Sequence, residues 1–178
     1  MVDINKSLLN KNNFRLLIDK VPTVEYYVQS VNIPGLQFTE VNQPFGIGVD
    51  AFFPGDKVTF DALSVTFLVD EDLENFKEMY DWMQAIVPVS SSSDFQSFVD
   101  SQKTTTGELS NINNDLNQYS QITLITNTNK NLPNKFFRFY DCFPISLGGL
   151  ELQSGADAET VTCTVEFRFT YYDIKTTS

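Results

Sequence analysis

The sequence predicts a mainly β fold, an antiparallel β-sandwich or barrel with long loops and one packed α-helix over about residues 71–86. Two stretches carry this prediction. Late in the chain Val161, Cys163, Val165, Phe167, Phe169 and Tyr171 alternate with Thr162, Thr164, Glu166, Arg168 and Thr170, the period of a strand with one buried face. Earlier, Leu63, Val65, Phe67 and Val69 alternate with Ser64, Thr66 and Leu68, and a helical period follows without a gap.

Taken in order, residues 1–12 are polar and rich in Asn and Lys, with no complete hydrophobic face, and read as an N-terminal arm that orders only against a neighbour. One domain is expected over 13–174. Phe14 to Lys20 forms the first strand, and Pro22 marks a turn. Val24 to Ile33 forms the second, with Tyr26, Val28, Ser30 and Asn32 opposing Tyr27, Gln29, Val31 and Ile33; Pro34-Gly35 ends it. Residues 36–56 set Phe45, Ile47, Val49, Phe52 and Phe53 among Pro44, Gly46, Gly48, Pro54 and Gly55. Such a segment is either a long hairpin packed on its own domain or an interaction loop whose apolar side chains need a partner to cover them.

After the strand 63–69, Asp70 caps the helix and Glu71, Asp72 and Glu74 place the favoured charge at its positive end. Leu73, Phe76, Met79 or Tyr80, Met83 and Ile86 or Val87 supply its apolar stripe. Trp82 suits either an interface anchor or the core. From Ser90 to Asn131 more than half the residues are Asn, Gln, Ser or Thr, so a polar insertion is expected at about 90–118, with a loop at its centre. Gln121 to Thr126 and Lys135 to Phe143 read as strands. Pro144 and Gly148-Gly149 then introduce a bend or bulge, and residues 175–178 form a short tail.

Hydrophobic content of 42% with 16 Phe supplies enough apolar surface to offset chain entropy, which excludes a disordered chain. The absence of His removes zinc, haem and Cys-His chemistry, and no Gly-x-Ser-x-Gly elbow supports a hydrolase triad. The acids at 70–74 have a sufficient structural cause in the helix start, so no catalytic, cofactor-binding or metal-ligating residues are expected. Cys142 and Cys163 fall in strands and read as reduced, buried thiols. No run is long and apolar enough to span a bilayer, and the start has no signal-peptide core, so synthesis in a cytosol is expected. A net charge of −11 disfavours gripping nucleic acid through its phosphates. The acids keep the protein soluble or line a channel that repels passing DNA.

Several segments stand in a telling order: Ser30-Val31-Asn32-Ile33-Pro34-Gly35-Leu36, a Gly55-Asp56 turn, the strand 63–69, Asp70-Glu71, Asp81-Trp82, the stretch Asp141 to Leu152 and the closing strand Val161 to Tyr172. Over residues 14–87 and 136–174 this order resembles the tail tube proteins of contractile-tail phages of the T-even type, which are related to type VI secretion tube proteins. The resemblance implies a structural virion protein and no catalysis. Its subunits would join strands edge to edge into homo-hexameric rings, which stack into a tube that conducts DNA during ejection. Sheath, baseplate and neck proteins would be its partners, and DNA would cross the lumen without specific binding. It assigns ring stacking to the loop that carries Phe45, Ile47, Phe52 and Phe53, and makes Glu166, on the polar face of the closing strand, a lumen candidate. A tube-end paralogue, either baseplate initiator or neck terminator, is the alternative within the class. From the residues alone, a β-sandwich module that binds carbohydrate or protein also stays open.

Overall fold

The computed structural model describes residues 8–44, 46, 48–87, 119–155 and 159–176. Along the chain these form β1 (Phe14–Ile18), α1 (Pro22–Tyr27), β2 (Val28–Val31), β3 (Leu36–Pro44), β4 (Asp50–Phe60), β5 (Leu63–Leu68), α2 (Glu74–Ile86), β6 (Ser120–Asn127), β7 (Pro133–Leu147), β8 (Thr162–Arg168) and β9 (Tyr171–Thr176). The architecture is mainly β and antiparallel, as the alternating patterns predict. The whole of the 90–118 insertion, residues 1–7 of the arm and the last two residues of the 175–178 tail lie outside the described residues.

β7 organises the main sheet. Its strand order is β1-β6-β7-β8-β5-β2, with β9 also paired to β7. β8 and β9 are one strand in all but a break at Phe169 and Thr170, since the register on β7 continues from Pro144↔Phe167 through Phe143↔Arg168 and Tyr140↔Tyr171 to Lys135↔Thr176. The Thr170 amide donates to the Tyr140 carbonyl at 3.0 Å across that break. Opposite it Asp141 takes a left-handed backbone with φ 55°, a conformation Asp tolerates better than most residues. The single closing strand expected to end at Tyr172 therefore becomes two, extended to Thr176.

The core lies between the halves of this bent sheet and under α2. Alternation decides it. Leu63, Val65 and Phe67 of β5 are fully buried, and they pair in register with Phe167, Val165 and Cys163 of β8. Met79, Trp82 and Ala85 of α2 lie down on this layer, with the Trp82 ring centroid 5.9 Å from that of Phe167. Trp82 is 3% exposed. Of its two sequence roles, then, the fold uses it in the core, and its burial leaves almost no surface to offer as an interface anchor.

Three local expectations need correction. The second strand does not begin at Val24: residues 22–27 turn into a short helix with Pro22 in its first turn, where proline's fixed φ is favourable and its missing N–H costs nothing. The spacing Val21, Val24, Val28 was its signal, since the first two are buried and the third packs on the core. Next, α2 starts at Glu74 rather than 71, behind Leu73 in the left-handed region. Asp70 reaches the helix from outside its cap position, its Oδ1 accepting the Asn75 amide while Asn75 Oδ1 accepts the Asp70 amide, both at 3.4 Å. The fully buried Asn75 also donates to the Leu68 carbonyl at 2.8 Å, tying helix to strand. Finally, Gly55-Asp56 is no turn. It lies within β4, at a register shift opposite Thr39.

Candidate assembly surfaces

β3 and β4 pair with each other and form a separate two-stranded sheet. Every residue of β3 is exposed, and no residue of β4 is fully buried. Beyond its base, the described part of the hairpin is therefore not packed on the main sheet. The connection uses Gly46 and Gly48 at φ 68° and 67°, values that glycine adopts without strain. Phe45 and Ile47, two of the four residues singled out for stacking, fall outside the described residues.

The other two stand on opposite faces. Phe52 sits across from Asn42, and Phe53 across from Val41, so the pleat sends them in opposite directions. Phe52 is 63% and Phe53 50% exposed. The Phe52 face also carries Glu40, Pro54, Pro44 and Asp50, the last accepting from Asn42 Nδ2 at 3.0 Å. On the Phe53 face the paired residues Val41, Gln43 and Ala51 carry no charge. Phe38, Val41 and Val58 add to the exposed apolar surface; sequence reading overlooked them because each is a single residue in a polar strand.

The hairpin is fixed at its base. Phe60 packs its ring against Phe169 at 5.4 Å and Tyr172 at 5.5 Å. Its carbonyl accepts from Arg168 Nη1 at 3.1 Å, and the Asp61 amide donates to the Gly35 carbonyl at 3.2 Å. Higher up, Gly55 lets the strands approach at the register shift, where a Cβ would lie 2.6 Å from the Thr39 carbonyl oxygen.

A second feature lies where the main sheet ends. Its terminal strands, β1 and β2, do not pair with each other among the described residues. Between them opens a groove of about 560 Å³, with Leu9, Phe14, Val31, Ile33 and Leu124 as apolar lining and Lys11 as its charged side chain. The residues come from the segment before β1, from β1, from β2 and just beyond it, and from β6, so no local pattern announces the site.

Glu166 lies exposed on the outward face of β8, in register with Ser64 of β5 and Ser146 of β7. One step along, Thr66 and Thr164 share a hydrogen bond at 3.0 Å between their hydroxyls. Apart from Glu166 and Arg168 this face is mostly hydroxyl-bearing, whereas the acids Asp70, Glu71, Asp72, Glu74, Glu78 and Asp81 collect around α2. Elsewhere Lys20 sits with its ammonium 5.5 Å from the Trp82 ring centroid, and burial lowers its pKa from 10.5 to about 8. Burial pushes the Cys142 thiol up to about 12 and raises that of Cys163, whose Sγ donates to the Gly148 carbonyl at 3.3 Å. Both cysteines are free, and both thiols are kept inert by the same desolvation.

Residues 4–175 match the family of phage tail tube proteins. The chain belongs to this family. Among curated relatives, the tail tube terminator protein of Enterobacteria phage T4 is 39% identical over 80 residues, which cover 42% of this chain and 45% of that protein. The matched region thus spans under half of that relative's length. Solved structures share the fold at low identity. The cap that terminates the tube of the anti-feeding prophage has a TM-score of 0.56 at 12% identity, over 98% of this chain and 96% of that one. The sheath-tube complex of an extracellular contractile injection system, PVC, gives 0.55 at 10% identity, over 97% and 94%.

Proposed function

We propose that this chain is a ring-forming structural subunit of a phage tail tube and that its ring ends the tube. The observation that carries the second half is the 39% identity to a tail tube terminator, which favours the tube-end paralogue over the repeating tube subunit. Six copies form the ring. Phe53 and Val41, on one face of the β3–β4 hairpin, together with Phe45 and Ile47 of the same 36–56 segment, meet the adjacent ring of the tube. DNA crosses the lumen without specific binding, since a subunit of charge −11 gains nothing from phosphate contacts and repels a polyanion. Glu166 faces that lumen. Sheath and neck proteins are the remaining partners, and the role is served by binding alone, without catalysis.

Negative-stain electron microscopy of the purified protein, alone and added to growing tail tubes, tests this. Single rings that cap tubes and stop their elongation are expected. Long tubes built from this chain alone would return it to the repeating subunit, and monomers at every concentration would favour an isolated β-sandwich binding module.

A further inference from the structure

We infer that the β1/β2 groove is the receptor for the hairpin of the next copy of this chain, whose Phe52 face it takes, so that the ring closes through a head-to-tail contact. The inference rests on the ring reading above and names the surfaces that would make the ring. One chain carries both an apolar projection and an apolar recess: Phe52 is 63% exposed, and Leu9, Phe14, Val31, Ile33 and Leu124 line a volume of about 560 Å³, enough for an aromatic side chain and the residues beside it.

The occupant has to come from another copy. β3 begins three residues after Ile33, which itself lines the groove, and Phe52 pairs with Asn42, six residues further up the hairpin. At about 3.4 Å per residue this sets Phe52 roughly 20 Å from the hairpin base along a paired, stiff ribbon. The base is pinned by Phe60 against Phe169 and Tyr172, so the ribbon does not fold back into its own groove. Charge selects the face. Lys11 is the charged group of the groove, and the Phe52 face carries Glu40 and Asp50, whereas the paired residues on the Phe53 face, Val41, Gln43 and Ala51, carry no charge. Projection and recess are different surfaces, so the contact is heterologous, and repeated around an axis it closes a ring. Phe53 is left on the opposite face.

The test uses two variants of the full chain, Asn42→Cys, across from Phe52 on the same face, and Ser30→Cys, in the groove lining; both positions are exposed, Phe52 and Ile33 stay in place, and the native cysteines are buried. Under a short thiol cross-linker an equimolar mixture is expected to yield mixed dimers, with neither variant dimerising alone. The doubly substituted chain should give a ladder that stops at the copy number of the ring. Dimers from Asn42→Cys alone would make the contact isologous and overturn the inference, as would a ladder that continues past the ring. Rings seen by electron microscopy without mixed dimers overturn this docking while leaving the tube reading intact. Mixed dimers without rings support the docking and sink the tube reading.

Discussion

Replacing Phe53 by Ala should weaken attachment of the ring to the tube and leave the subunit's stability untouched. Phe53 is 50% exposed in the subunit. An aromatic side chain offers about 200 Å² to solvent, so a partner that covers the remainder removes about 100 Å² from water, worth about 2.5 kcal/mol at ~25 cal/mol per Å². Alanine keeps one methyl, leaving a loss of about 2 kcal/mol per contact, a factor of about 30 in the binding constant, compounded over the copies in a ring. Cosedimentation of rings with preassembled tubes reads the first effect, and thermal unfolding followed by circular dichroism reads the second. Undiminished cosedimentation would refute the assignment of this face to the tube. A stability loss above about 1 kcal/mol would refute its premise, because an uncovered side chain on a free-standing hairpin contributes little to the fold.

Trp82→Ala should do the reverse, lowering stability by about 3–5 kcal/mol through the cavity it opens beside Phe167, and urea midpoints measure that directly. Gly55→Ala forces a methyl toward the Thr39 carbonyl, 2.6 Å from the ideal Cβ, so the hairpin distorts and ring formation fails in sedimentation velocity while the core unfolds at its usual temperature. Lys20 has a folded pKa of about 8, below its ordinary 10.5, so the unfolded chain binds more protons between these values and stability rises with pH across that window. Lys20→Met should be more stable than the parent at pH 7 and lose that rise, as denaturant midpoints at pH 7 and 10 would show; equal slopes would remove Lys20 as its source. Glu166→Lys, in assembled phage, should slow DNA ejection at low salt and recover as salt screens the new attraction; normal ejection at low salt would remove Glu166 from the lumen.

The sequence by itself determined the elements whose information is local. Period two in β5 and β8 marked Leu63, Val65, Phe67, Cys163, Val165 and Phe167 as core, because a pleated strand sends alternate side chains to opposite faces whatever lies beyond it. The helical stripe through Phe76 and Met79 placed α2 for the same reason. Local pattern also misled where two elements compete for the same residues, as at 22–27, where Val21 and Val24 are buried on a helical turn inside a run of strand-forming residues. Only the tertiary structure decided which aromatic residues are inside. Trp82 and Phe52 look alike as large apolar side chains near punctuated segments, yet one is buried in the core and the other is exposed on a hairpin that forms its own two-stranded sheet. The groove is further from local reading still, since Leu9, Val31 and Leu124 meet only in the folded sheet, where β1 and β2, among the described residues, do not pair with each other. Burial and concavity belong to chain segments distant in sequence, and a period along one segment carries no information about what the others leave uncovered.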